Sequence, residues 1–120
     1  MKETRWRVIT GAPCSGKTTV IRILAERGFP TVAETARAYI DEELGKGRSL
    51  ARIKSDLHAF EREILMRKVR IERDLPADEV VFLDRGLPDS IAYYRLDGLD
   101  PAEPLRLSRQ VRYEAVFHFD

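Results

Sequence analysis

Two short apolar strings, Val8-Ile9 and Val80-Val81-Phe82-Leu83, predict buried strands, the second rising directly into Asp84. Between and around them the apolar positions recur at helical spacing. Val20, Ile21, Ile23 and Leu24 place a helix over residues 17–27, and Gly28 follows where a left-handed cap would end it. Phe29-Pro30-Thr31-Val32-Ala33 reads as a short extended segment, and residues 34–44 as a second helix that Gly45 and Gly47 break. Leu50, Ile53, Leu57, Phe60, Ile64, Ile71 and Leu75 recur at three- and four-residue steps for the most part, which predicts one long helix over residues 49–74. Its arginines alternate with Asp56, Glu61, Glu63, Glu72 and Asp74, the pattern of a solvated, salt-bridged face. Pro88, Asp89 and Ser90 form a helix entrance leading to Ile91-Ala92-Tyr93-Tyr94. A loop over residues 97–104, a short helix over 105–111 and a last strand over 115–119 complete the chain. Strands alternating with helices predict an α/β fold whose parallel sheet is covered on both faces.

Length and charge narrow this further. A chain of 120 residues predicts one domain, and 21 basic against 20 acidic residues leave no uniform field to attract nucleic acid or an anionic membrane. The longest apolar runs are four or five residues, far short of a bilayer span, and no secretory signal opens the chain. A cytoplasmic protein is expected. The single cysteine, Cys14, can form neither an internal disulfide nor a metal cluster.

The chemistry is concentrated in two places. Gly11-Ala12-Pro13-Cys14-Ser15-Gly16-Lys17-Thr18 fits the phosphate-loop pattern G-x-x-x-x-G-K-[ST], between a predicted strand and a predicted helix as its mechanism requires. Glycines at both ends let successive backbone N–H groups and the helix N-terminus point at phosphate oxygens. Lys17 then brings a mobile cation to the β- and γ-phosphates, and the Thr18 hydroxyl lies where it can coordinate Mg²⁺. A dinucleotide fingerprint is excluded, because Pro13 stands where its second glycine would be. Further along, Asp84 ends an apolar strand in the manner of a Walker B acid, able to hold Mg²⁺ through water or to orient a nucleophile. Arg85 follows it, either to meet a transferring phosphate or an anionic acceptor, or to form a structural salt bridge. Glu34, at the entrance of the second helix, either takes a proton from an acceptor hydroxyl or serves the helix's first turn. Arg37 pairs with Glu34 or contacts an anion. Asp89 and Ser90 read as caps, and His58, His118, Trp6, Tyr93 and Tyr94 as structural residues.

Taken together, residues 8–19 (through Thr19), Ala33-Glu34-Thr35-Ala36-Arg37, and Phe82-Leu83-Asp84-Arg85-Gly86-Leu87-Pro88-Asp89-Ser90 resemble the small AAA-labelled P-loop ATPase family. That family is similar to the ribosylnicotinamide kinase domain of NadR-type proteins. The resemblance implies a three-layer αβα P-loop NTPase core with a mostly parallel sheet, in which ATP is held by residues 11–19 and Mg²⁺ by Thr18 and Asp84. It also implies a chain shortened at its C-terminus, lacking the lid and last strand that usually follow the strand over residues 115–119, so that self-association or a partner chain would cover the open edge. The leading expectation is a phosphotransferase using Lys17, Asp84, Arg85 and Glu34 on a small, nucleoside-like acceptor. Its alternatives are a nucleotide-dependent regulatory ATPase module with little acceptor phosphorylation, and an incomplete domain that binds no nucleotide.

Overall fold

A computed structural model of the chain describes residues 1–12 and 15–119. In chain order its elements are β1 (Lys2–Glu3), β2 (Arg7–Gly11), α1 (Lys17–Glu26), β3 (Thr31–Val32), α2 (Thr35–Gly45), α3 (Leu50–Ile53), α4 (Leu57–Asp74), β4 (Phe82–Asp84), α5 (Leu87–Leu96), α6 (Ala102–Ser108), β5 (Val111–Arg112) and β6 (Ala115–Phe119). Four strands form one parallel sheet in the order β3-β4-β2-β6, while β1 and β5 pair separately, also in parallel. Because all four run the same way, Gly11, Asp84 and the β3 exit toward Glu34 share one edge. The register puts Ile9 beside Asp84 and Gly11 beside Phe119.

Successive side chains of a strand point to opposite faces, so the burial of both Val8 and Ile9 means that β2 is covered on each side. Helix α1 packs on β2, β3 and β4. Trp6, Val8, Val81 and Leu83 form a core cluster, with the Trp6 indole N–H donating to the Pro76 carbonyl at 2.9 Å. Leu65, Leu87 and Tyr94 join α4 to α5, and Ile53, Phe60 and Ile64 pack against Tyr39 and Ile40 of α2. Only glycine fits at position 11: its φ is 141°, and a Cβ there would lie 2.1 Å from the Phe119 carbonyl oxygen. No helix among the described residues is long and apolar enough to cross a membrane.

Several expectations need correction. The predicted long helix is two, because Asp56 accepts the Ala59 N–H at 3.0 Å and starts α4 afresh beyond the one-turn α3. Leu50 and Leu57, assigned to the buried stripe, are exposed, whereas Glu61 and Glu72, assigned to the wet face, are buried together with Lys68. The inward stripe of α4 therefore runs Phe60, Glu61, Ile64, Leu65, Lys68 and Glu72. The last short helix begins earlier than the spacing suggested, at Ala102, and Val111 belongs to β5 instead. Strand β6 lies at the sheet edge with Val116 57% and Phe117 46% exposed.

Candidate functional site

The phosphate-loop residues that are described surround an open cavity of about 570 Å³, lined by Ala12, Ser15, Gly16, Lys17, Thr18 and Thr19 together with Glu34, Arg85 and Tyr93. Pro13 and Cys14 lie outside the described residues. Gly16 takes a left-handed φ of 89°, turning the loop into α1 and leaving the first helical N–H groups without side-chain caps. Such a terminus favours an anion. The Ser15 hydroxyl is buried at the rim of the same cradle with no hydrogen-bond partner among the described residues. These observations fit a polyphosphate.

Lys17, the first residue of α1, is buried, and its Nζ donates to Asp84 Oδ1 and stands 3.6 Å from Glu34 Oε2. Glu34 occupies the N-cap position of α2 without capping it. Its carboxylate turns instead toward the strand ends, 3.8 Å from Arg85 Nε. Arg37, by contrast, pairs with Asp41 at 3.6 Å and faces solvent instead of pairing with Glu34.

Arg85 is the one non-glycine residue with positive φ among those described, at 66°. Its own N–H is held by the Ile9 carbonyl at 2.9 Å. Its guanidinium donates to the Gly11 carbonyl at 2.9 Å and to Thr10 Oγ1 at 3.2 Å, and lies 5.7 Å from the Tyr93 ring centre. Thr10 in turn donates to Asp89 at 2.5 Å, and Asp89 accepts the Gly86 N–H at 2.7 Å. Asp89 therefore caps α5 as expected and also ties that helix to β2. A chain of charge runs from Lys17 through Glu34 to Arg85 and Asp89.

A second cavity of about 390 Å³ opens behind Glu34, Arg85 and Tyr93, the three residues it shares with the first. Ile40, Leu57, Phe60, Ile64 and Leu96 supply its apolar walls, and Lys54, Glu61, Lys68 and Asp97 its polar ones. Burial, reinforced by a hydrogen bond and charge repulsion from Asp97, pushes the Glu61 carboxyl up to about 7. Burial also pushes Glu72 up to about 7, against the opposing hydrogen bond from the Tyr113 hydroxyl at 2.7 Å and the nearby Lys68 charge. Tyr93, Thr10, Glu61, Lys68 and Asp97 were not singled out from sequence as site residues. The readable signal was a set of charged residues, Glu61 with those at i+7 and i+11 from it, at helical spacing beside Phe60 and Ile64.

The raised carboxyls make stability depend on pH. Between about pH 4.5 and 7 the folded chain holds a proton on Glu72 that the unfolded chain has released, so stability falls as pH rises through that window. Glu72→Gln is expected to melt about 5 °C above wild type at pH 8, with the gap closing by pH 5. Thermal melts of both proteins at the two pH values check this.

The model of the AAA-domain family matches residues 6–120. The chain belongs to that family. Among solved structures, the NadR protein in complex with NR superposes with a TM-score of 0.64 at 21% identity, over 96% of this chain and 33% of the NadR chain. This AAA domain thus shares the NadR fold while spanning about a third of that protein's length. TT1252 from Thermus thermophilus matches 99% of this chain and 90% of its own, at 23% identity and a TM-score of 0.45. No curated protein matches the chain.

Proposed function

We propose that the chain is a phosphotransferase that binds Mg-ATP in the phosphate loop and transfers its terminal phosphate to a hydroxyl of a nucleoside-like acceptor. One observation carries this reading: two cavities meet at Glu34, Arg85 and Tyr93, which gives donor and acceptor separate seats with a shared wall. A simple hydrolase needs only the first. The second has the volume and the mixed lining of a small-molecule site, with the Phe60 and Tyr93 rings and hydroxyl-binding carboxyls from Glu61 and Asp97. In keeping with it, the NadR protein of the same fold was solved with NR bound.

In this reading, residues 11–19 cradle the phosphates, Lys17 neutralises their charge and Arg85 steadies the group in transfer. Thr18, which lines the first cavity, and Asp84, acting through water, would hold Mg²⁺, and the ion would supply charge neutralisation at the phosphates when bound. Glu34 lines both cavities and accepts the proton of the acceptor hydroxyl, whereas Asp84 lies beneath Lys17 and lines neither. Catalysis is then mainly positioning and electrostatics.

The test is label transfer from Mg-ATP, labelled at the terminal phosphate, to a panel of nucleosides. Labelled nucleoside monophosphate is the expected product; label released only as inorganic phosphate across the panel rejects the acceptor. The exposed Val116 and Phe117 on edge strand β6 favour a second reading, a regulatory ATPase module whose nucleotide state controls a partner at that edge. Tight Mg-ATP binding without acceptor-stimulated turnover would select it.

A further inference from the structure

Lys68 lies in the middle of α4 and is only 5% exposed, although an ammonium is among the costliest groups to bury. It belongs neither to the phosphate loop nor to a surface ion pair. Its Nζ donates to the Gly86 carbonyl at 3.3 Å and to Ser90 Oγ at 3.0 Å, and Ser90 is itself buried. The charged groups facing it are Glu61 and Glu72 of its own helix, Asp89 of α5 and Arg85 of the β4–α5 turn.

Gly86 is the last residue of the turn Asp84-Arg85-Gly86, in which Arg85 holds its left-handed φ of 66°. A residue with a side chain keeps that conformation where its surroundings hold it. Here the Ile9 carbonyl takes the Arg85 N–H, Asp89 takes the Gly86 N–H, and Lys68 donates to the Gly86 carbonyl from the helix behind. We infer that Lys68 is a positioning residue: through the Gly86 carbonyl and Ser90, its buried ammonium locks the turn that aims Arg85 between the two cavities. The consequence for turnover rests on the phosphotransferase reading; the consequence for the turn does not.

Lys68→Met keeps the stem and removes the donor. In ¹⁵N-labelled protein, the Arg85 H–N–Cα–H coupling is expected to change and the Gly86 amide to exchange about tenfold faster, with the β2 amides unaffected. In the nucleoside assay, kcat is expected to fall about a hundredfold, as for a catalytic group displaced by about an ångström, while KM for Mg-ATP stays within about twofold. A folded Lys68→Met with unchanged Arg85 and Gly86 signals overturns the inference. So does an equal acceleration of exchange at every strand, which marks a purely structural residue. If Lys68→Met does not fold, Ser90→Ala, which removes one of the two acceptors, is expected to speed Gly86 exchange selectively; no change there overturns the inference equally. Wild-type protein that phosphorylates no nucleoside rejects the phosphotransferase reading alone, and the exchange measurement still decides the role of Lys68.

Discussion

Replacing Lys17 by methionine is expected to weaken Mg-ATP binding at least about a hundredfold, equivalent to about 3 kcal/mol and to two charge-assisted hydrogen bonds with phosphate oxygens. Asp84 already holds the Lys17 ammonium at the cavity floor. The phosphates therefore meet a cation that is positioned in advance, and little side-chain freedom remains to be lost on binding. Methionine has a second effect, because Asp84 is also largely buried and loses its partner. The variant should melt below wild type for that reason, so calorimetry belongs well below the transition. Adding Asp84→Asn separates the two effects: the double variant should recover much of the melting temperature and none of the affinity. Equal affinity of Lys17→Met and wild type would remove the phosphate-loop assignment, and the proposed phosphotransferase with it.

The features that gather this site were legible unequally, and the division follows sequence separation. The Gly11-to-Thr18 spacing states a local backbone requirement, since only a chain able to turn tightly can direct its amides at one anion. An apolar string closing on Asp84 is also local, and the parallel pairing of β4 with β2 then brings Asp84 beside Ile9 without further information. Glu34 was legible as a helix-entrance acid, but its orientation was not, because Lys17 and Arg85, which attract it, lie 17 and 51 residues away. Glu61 and Glu72 were misjudged, and Lys68 passed over, on the same ground. A charged residue in a helix is normally solvated, and here its partners come from Gly86, Ser90, Asp97 and Tyr113 on other elements. The break between α3 and α4 is different: the Asp56 cap was written locally, but Ile53 and Leu57 continue the apolar spacing across it and conceal it. The two-residue pairing of β1 with β5 carries no local signal, being made between Lys2 and Val111 at opposite ends of the chain.

Glu34→Gln should separate catalysis from binding in the direction opposite to Lys17→Met. Glu34 stands 3.6 Å from Lys17 and 3.8 Å from Arg85, two cations that the bound phosphates need. As a carboxylate it competes with those phosphates for both, and a neutral amide of the same shape competes less. Mg-ATP should therefore bind Glu34→Gln as tightly as wild type or a few-fold more tightly. Turnover should go the other way: with no carboxylate between the two cavities to accept the acceptor's proton, kcat is expected to fall by about 10²- to 10³-fold, the range for losing a general base. Calorimetry with Mg-ATP and an acceptor-phosphorylation assay on the same preparation check the split. Parallel loss of affinity and rate would make Glu34 a structural anchor for Lys17 and would remove it as the acceptor of the proton.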